Sequence, residues 1–256
     1  MKIYEPGLVV KEGRLAGGIY ELFIETEAAK SALPGQFVML YPQHESTLLP
    51  RPISICEVLA GRVLRLVYRA VGKGTKEFSL YRQGENLRVL GPLGNGFPVS
   101  EGKGRKALLI GGGIGLPPLL ELSKELKAKE CIALLGYRND DFFLNKDFER
   151  YSKVYIATED GSEGTKGNVL DAARANNITA DVIYACGPMP MLRAIKQFAA
   201  EKEITAYISL EERMACGVGA CLGCVCKTVK KDDHSKVNNA RVCTEGPVFL
   251  ASEVEI

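Results

Sequence analysis

The first hundred residues alternate apolar and polar positions in short runs, which are separated by glycine, proline and other turn residues. A period of two is typical of β-strands that bury one face. Turn residues recur about every eight to twelve positions and no helix of substantial length is predicted, which favours an antiparallel barrel. Examples of the predicted strands are GLVVKEG (7–13), GIYELFIETE (18–27), GQFVMLYP (35–42), RPISICEVL (51–59) and RVLRLVYRAV (62–71).

The pattern changes after the basic, glycine-bearing segment GKGRK (102–106), from where apolar strands alternate with amphipathic helices. This alternation is typical of a doubly wound parallel sheet. The predicted strands are ALLIGGGIG (107–115, running into a glycine turn), CIALLGYR (131–138), KVYIATED (153–160) and DVIYACG (181–187). The predicted helices are LPPLLELSKELKAK (116–129), NKDFERYS (145–152), NVLDAARANN (168–177) and MPMLRAIKQFAAEK (189–202). From about residue 209 the chain is rich in loops and cysteines.

Charge and hydropathy exclude several classes of protein. The 33 basic and 31 acidic residues give a net charge of +2, which argues against a nucleic-acid partner bound through a broad cationic face. No run approaches the roughly 18 apolar residues of a membrane span. The first 25 residues carry charges throughout, so we find no secretory signal. We therefore expect a soluble, cytoplasmic protein.

Four of the eight cysteines fall within eleven residues. Thiols stay reduced in a protein without an export signal, so a dense cysteine cluster indicates metal binding before disulfides. Cys216-x4-Cys221-x2-Cys224, with Cys243 further along, has the plant-type spacing of a [2Fe–2S] cluster. The small residues between these cysteines allow left-handed backbone and leave N–H groups open toward sulfur.

Two alternatives concern the same cysteines. A structural zinc site would favour two C-x2-C pairs, and this segment has one such pair. Cys226 is a second candidate for the fourth ligand, but in an extended segment its side chain would point away from that of Cys224. The predicted ligands are Cys216, Cys221, Cys224 and Cys243.

A glycine turn follows the first strand of the predicted α/β part, with Gly113 and Gly115 shortly before Pro118. Glycines at this junction let a pyrophosphate approach the N-terminus of a helix, and proline is tolerated early in a helix. Cys186 and Gly187 end the last predicted strand, at the edge of the sheet where ligands bind. A tight turn that binds no ligand is the alternative.

A further candidate is Arg51-Pro52-Ile53-Ser54, with Tyr68-Arg69 and Gly74-Thr75 downstream. An arginine can pair with a pyrophosphate through its planar guanidinium, and a serine hydroxyl can contact the edge of a flavin ring. An edge strand that starts with proline would explain the first run equally well.

Taken together, these motifs resemble the ferredoxin–NADP reductase superfamily. The segment LEERMACGVGACLGCVC (210–226) narrows the resemblance to the electron-transfer subunits of class 1B dihydroorotate dehydrogenases. The resemblance implies an FAD-binding barrel (1–101), an NAD-binding α/β domain (102–208) and a small [2Fe–2S] domain (209–256). The residues it assigns to FAD are Arg51, Pro52, Ile53, Ser54, Val67, Tyr68, Arg69, Gly74 and Thr75. Those it assigns to NAD are Gly113, Gly115, Cys186 and Gly187.

The resemblance also implies a partner, an FMN-containing catalytic subunit that oxidises dihydroorotate in pyrimidine (UMP) biosynthesis, in a heterotetramer with two copies of each subunit. Electrons would pass from that FMN through the cluster and FAD to NAD⁺, so no side chain of this chain needs to act as a general acid or base. We expect the cysteine segment, with Leu222 on its surface, to contact the partner. Only the resemblance favours NAD over NADP, because Arg138 could contact a ribose 2′-phosphate.

Three rival interpretations stay open at this point. One is the flavin and iron–sulfur subunit of a related NAD(P)H:ferredoxin oxidoreductase or sulfide dehydrogenase. The second is a stand-alone NADH:acceptor reductase, and the third is a zinc-bearing binding module. The two histidines, His44 and His234, are expected to be surface residues.

Overall fold

The computed structural model describes residues 2–44, 47–231 and 236–256, and His234 lies outside this part of the chain. The alternating N-terminal segments form a closed antiparallel barrel in the order β1-β2-β5-β4-β3-β6. Its strands are β1 (Ile3–Ala16), β2 (Ile19–Glu25), β3 (Phe37–Tyr41), β4 (Arg51–Leu59), β5 (Val63–Arg69) and β6 (Asn86–Leu93). His44 follows β3 and is exposed, as expected.

Alternation along β5 explains how the barrel joins the rest of the molecule. Successive side chains point to opposite faces of a strand. Leu64, Leu66 and Tyr68 fill the barrel core. Val67 instead packs in a core that is shared with the second sheet. The outer face of this strand is therefore also buried.

A short helix, α1 (Lys73–Phe78), follows β5 and places Phe78 in the barrel core. The hydrophobic pattern does not predict it. A helix of six residues is too short to establish a repeat of 3.6.

The second part of the chain forms the predicted parallel sheet, in which six strands lie in the order β10-β9-β8-β7-β11-β12. They are β7 (Lys106–Gly112), β8 (Glu130–Tyr137), β9 (Lys153–Thr158), β10 (Thr165–Lys166), β11 (Val182–Cys186) and β12 (Thr205–Ser209). The helices are α2 (Pro117–Glu125), α3 (Asn145–Phe148), α4 (Val169–Ala175) and α5 (Met189–Glu201). Buried side chains of α2 and α3 cover one face, and those of α4 and α5 cover the other. The fold class is thereby confirmed.

The strand order reverses between β7 and β11, which are neighbours in the sheet. Ligands of doubly wound sheets bind outside the carboxyl ends of the strands at such a reversal. Gly111 at the end of β7 pairs with Cys186 at the end of β11. The glycine turn and Cys186 therefore flank one crevice.

Several predicted boundaries differ from the observed ones. Helix α2 stops at Glu125 because Leu126 adopts an extended backbone. Helix α3 keeps only the first four of its eight predicted residues. Strand β12 is not among the predicted strands, since a five-residue run such as TAYIS is too short to separate from a loop by its pattern.

The C-terminal segment forms β13 (Val225–Thr228), β14 (Asn239–Arg241), β15 (Val248–Leu250) and β16 (Val254–Glu255). Three of these make a small sheet in the order β14-β13-β16. Strand β15 instead pairs antiparallel with β12 as the seventh strand of the larger sheet. The segment is thus anchored to the α/β part, and the boundaries at 101/102 and 208/209 stay predictions. None of the helices within the described residues has the length and apolar character needed to cross a membrane.

Candidate cofactor-binding sites

A cavity of about 350 Å³ lies where the barrel, the glycine turn and the segment after β12 meet. Seven of the residues that the sequence assigns to FAD line it: Pro52, Ile53, Ser54, Val67, Tyr68, Arg69 and Thr75. Strand topology explains why residues so far apart in sequence converge here. Strands β4 and β5 are antiparallel neighbours, so the start of β4 and the end of β5 lie at the same end of the barrel.

The lining of this cavity combines apolar and polar groups. Ile53 and Val67 provide apolar surface, while Ser54 and Arg69 provide a hydroxyl and a guanidinium. A flavin has an aromatic ring that suits the apolar part and polar ring edges and phosphates that suit the donors. The chemistry of the residues present therefore fits FAD.

Arg51 and Gly74 are not among the described residues that line the cavity, but they touch each other beside it. A Cβ atom at Gly74 would lie 3.0 Å from Nε of Arg51, so a side chain there would crowd the guanidinium. Nη1 of Arg51 donates to the carbonyls of Leu49 at 2.7 Å and Pro50 at 3.3 Å. A guanidinium has five N–H donors, so others are left for a phosphate.

Thr75 has a structural role in addition to its place in the cavity wall. Its hydroxyl oxygen accepts hydrogen bonds from the N–H groups of Val71 at 3.0 Å and Gly72 at 3.1 Å. The hydroxyl also donates to the Gly72 carbonyl at 3.2 Å. Thr75 therefore shapes the turn that opens α1, while its side chain still forms part of the cavity wall.

The glycine turn and the end of β11 are in direct contact. A Cβ atom at Gly115 would lie 2.6 Å from Cα of Gly187, so only glycine fits between the two segments. Gly113 has φ of +53°, which glycine adopts without strain. Between these two glycines, Ile114 lines the FAD cavity. The residues assigned to NAD thus lie together at the edge of that cavity.

Cys186 lies one layer behind the cavity wall. Its side chain is 1% exposed and pairs with Ser209 on the neighbouring strand. Burial raises the pKa of the Cys186 thiol, despite a hydrogen bond with Ser209 that favours the thiolate. The side chain is therefore a neutral thiol beside the crevice.

Sequence reasoning missed the third wall of the cavity, which the chain forms just after β12. Its residues are Ser209, Leu210, Glu211, Glu212 and Met214, with Pro247 and Val71 nearby. Recognition of β12 as a strand would have identified them, since ligands lie beyond the carboxyl ends of parallel strands. Desolvation raises the pKa of Glu211.

The four predicted cluster ligands lie as two pairs of interacting side chains. Cys216 and Cys221 interact through their side chains, and Cys243 interacts with Cys224. The pairs are close enough for the charge of Cys216 to act on Cys243. A [2Fe–2S] cluster binds two protein ligands on each iron, which this arrangement fits. Among the described residues, no three His, Cys, Asp or Glu side chains converge around a single metal ion.

Backbone N–H groups prepare the first ligand for metal binding. Sγ of Cys216 accepts hydrogen bonds from Val218 N at 3.5 Å and Cys221 N at 3.4 Å. Burial raises the pKa of Cys216, but these bonds outweigh burial and lower the pKa to about 6. The loop can aim its N–H groups at sulfur because Gly217 and Gly219 have φ of +69° and +83°.

Cys226 lies apart from the two pairs. It is in β13, opposite Ala240 of β14, and its nearby charged groups are Glu212 and Glu245. Cys243 is fully buried and shares a hydrogen bond with Cys224. This placement favours Cys243 as the fourth ligand.

The class of protein is defined by a closed antiparallel barrel, a doubly wound sheet and a cavity between them. This architecture is that of ferredoxin–NADP reductase-like proteins, extended here by a cysteine-bearing segment. Residues 211–255 match the family model described as the iron-sulfur cluster binding domain of dihydroorotate dehydrogenase B.

Curated relatives cover almost the whole chain. The dihydroorotate dehydrogenase B (NAD(+)) electron transfer subunit of Geobacillus sp. (strain WCH70) is 46% identical over 253 residues, which are 96% of each chain. The protein of the same name from Listeria monocytogenes serotype 4a (strain HCC23) is 45% identical and covers 97% of each chain. This chain belongs to the family of dihydroorotate dehydrogenase B electron transfer subunits.

Solved structures show the same architecture. A structure of an NADH-dependent reduced ferredoxin-NADP oxidoreductase superimposes with a TM-score of 0.85 at 29% identity, over 98% of this chain and 90% of that one. The ferredoxin reductase of carbazole 1,9a-dioxygenase, at 22% identity and a TM-score of 0.66, covers 79% of this chain and 67% of its own. The second similarity concerns the fold alone.

Proposed function

We propose that this chain carries electrons from a dihydroorotate-oxidising catalytic subunit to NAD⁺, through a [2Fe–2S] cluster and FAD held by the residues described above. The observation that carries the proposal is the short path between the two cofactor sites. Met214 lines the FAD cavity, and the cluster ligand Cys216 follows two residues later. Two residues of extended chain span at most about 7 Å. The cluster loop also rests on the barrel, since a Cβ atom at Gly217 would lie 2.7 Å from Cγ of Met39.

The residues divide the work as follows. When bound, the cluster would carry electrons one at a time, and FAD would collect two of them and pass them to NAD⁺ together as a hydride. The cavity would orient the flavin, and Arg51 would neutralise its pyrophosphate. The glycine turn would admit the dinucleotide. The four cysteines would supply the thiolates that hold the cluster.

The most direct test of this function is reconstitution with the catalytic subunit from the same genome. We expect the complex to reduce NAD⁺ when dihydroorotate is added, and expect the catalytic subunit alone not to do so. The NADH-dependent ferredoxin-NADP oxidoreductase superposition gives the rival function a specific basis. Reduction of ferredoxin by NADH, without any response to dihydroorotate, would contradict the proposal and favour that rival.

The partner is proposed to be an FMN-containing catalytic subunit, in a heterotetramer with two copies of each subunit. We call the segment from Cys216 to Cys224 the cysteine loop. Exposed apolar residues lie in it or directly after it: Val218, Leu222 and Val225 are 43%, 61% and 41% exposed. A cluster that accepts electrons from another subunit must lie near the contact with it. Exposed apolar groups at this place are suited to that contact.

Leu222→Glu is expected to weaken the complex about tenfold or more, because it places a charge in an apolar contact. The dissociation constant would be measured with a tagged catalytic subunit, and FAD and iron contents would confirm that the variant is loaded. Leu80→Glu is the matched control, since Leu80 is 69% exposed on the barrel, outside the cysteine loop. Equal binding by both variants would place the partner elsewhere.

The preference for NAD over NADP and the cytoplasmic location also belong to this proposal. The relatives carry NAD(+) in their names, while the exposed Arg138 follows β8 where a ribose phosphate could reach it. Cysteines kept reduced for a cluster suit a reducing compartment.

A further inference from the structure

A network of charged side chains lies between the barrel and the α/β domain, on the side of α2 and α3. We call it the interdomain ion network. Its barrel members are Glu21 of β2, Glu57 of β4 and Arg65 of β5. Its members from the α/β domain are Glu121 and Lys124 of α2 and Asp147 of α3. Neither the cavity nor the cysteine segment includes any of these residues.

Arg65 is the centre of the network and joins the two domains. Its side chain is 8% exposed and pairs with Glu21 at 2.9 Å and Glu57 at 3.4 Å within the barrel. The same guanidinium pairs with Asp147 at 3.0 Å across the domain boundary. An arginine can bridge three carboxylates because its donors point in fixed, planar directions.

A second connection joins α2 to the backbone of β4. The Val58 N–H donates to Oε2 of Glu121 at 2.7 Å, and Nζ of Lys124 donates to the Val58 carbonyl at 2.7 Å. Lys124 and Glu121 also pair with each other at 3.3 Å. Helix α2 thus binds both the N–H and the carbonyl of Val58, and these two hydrogen bonds fix the position of the helix against β4.

These connections lie on the elements that form the cofactor sites. Helix α2 begins at Pro117, directly after the glycine turn. On β5, Arg65 shares a face with Val67 and Arg69, which both line the FAD cavity. At about 3.3 Å per residue, Val67 is roughly 7 Å along the strand from Arg65. A shift of α2 or α3 against the barrel would therefore move the glycine turn against the flavin.

We propose that the interdomain ion network sets the distance and angle between the NAD and FAD sites, and that Arg65 and Asp147 are positioning residues for hydride transfer. The inference rests on the proposed function. In that step the reduced flavin would give NAD⁺ a hydride, which is two electrons with one proton, and the reverse transfer from NADH to the oxidised flavin uses the same geometry. Buried ion pairs rarely stabilise a fold more than apolar packing does, but they are directional. Because they are directional, such ion pairs are suited to fixing the orientation of one domain against the other.

Asp147→Asn tests the proposal, because it removes the carboxylate with which the α/β domain pairs with Arg65, while Arg65 keeps its two barrel partners. The Asp147 side chain is 27% exposed, so the new amide is not left in a fully buried position without a hydrogen-bond partner. We expect NADH to reduce the flavin about tenfold more slowly, since small misplacements of reacting groups cost up to about 100-fold. The charge-transfer absorbance of NAD bound beside the reduced flavin should also weaken, with the FAD content unchanged.

Glu149→Gln is the matched control, because Glu149 is an exposed carboxylate just after α3 that is not a member of the network. Asp147→Glu keeps the charge and should restore much of the rate. Arg65→Lys is a second variant: it keeps the buried charge but cannot bridge three carboxylates, so it should also slow reduction.

Each outcome separates the possibilities. Asp147→Asn and Arg65→Lys could both lower the melting temperature while the reduction rate and the charge-transfer band stay normal. That result would show that the network has only a structural role and would overturn the proposal. If the unaltered chain loaded with FAD is not reduced by NADH at all, the proposed function itself fails. If Asp147→Asn does not fold, the rate and band of Arg65→Lys decide.

Discussion

Cys243→Ser is expected to abolish the iron–sulfur absorbance of the purified chain, whereas Cys226→Ser leaves it unchanged. Cys243 is buried against Cys224 and completes the second thiol pair. Its pKa is raised to about 11, first by burial and then by Cys224, so without metal it is a neutral thiol. Metal binding deprotonates such a thiol outright, and a serine hydroxyl is a much poorer ligand. Iron and acid-labile sulfide per chain are the quantities to measure.

Cys226 is the matched control because it is a half-buried cysteine of the same segment, two residues from the predicted ligand Cys224. Retention of FAD by both variants would show that the barrel is intact. The opposite result, cluster loss with Cys226→Ser and retention with Cys243→Ser, would contradict the ligand set and assign the fourth position to Cys226.

Arg51→Met is expected to weaken FAD binding by about ten- to a hundredfold, because each charge-assisted hydrogen bond contributes roughly 1.5–3 kcal/mol. Methionine keeps the length of the side chain and removes the charge. The measurement is titration of the apoprotein with FAD, followed by flavin fluorescence. Gly74→Val should act in the same direction, since its Cβ atom would lie 3.0 Å from Nε of Arg51.

Arg62→Met is the control for the loss of one barrel arginine. Arg62 is exposed and pairs with Glu25, away from the cavity. Its replacement should leave the FAD dissociation constant unchanged. If Arg51→Met binds FAD as tightly as the unaltered chain, the pyrophosphate is held by other groups.

Local patterns were sufficient to predict the fold class. The barrel follows from alternation in strands such as β5, and the doubly wound sheet follows from strands that alternate with helices. The cysteine spacing identified a cluster-binding segment because its ligands are close in sequence. The glycine turn could be predicted for the same reason: it is a local feature of one strand–helix junction.

The features that the sequence did not reveal depend on contacts between distant segments. The wall from Ser209 to Met214 faces the flavin cavity only because β12 lies beside β11. In β5, Arg65 occupies a polar position of the alternating pattern, which predicts exposure to solvent. It is buried because the α/β domain covers that face of the barrel. No periodicity within β5 carries this information.

Anaerobic titration of the purified, loaded chain with NADH, followed by visible absorbance, tests most directly whether NAD, FAD and the cluster form one relay. The short path from Met214 to Cys216 predicts that the flavin bands and the broad iron–sulfur absorbance both bleach on addition of NADH. Bleaching of the flavin alone, with iron present in the protein, would show that the cluster does not exchange electrons with FAD and would contradict the relay. A colourless protein that contains zinc would contradict it more completely.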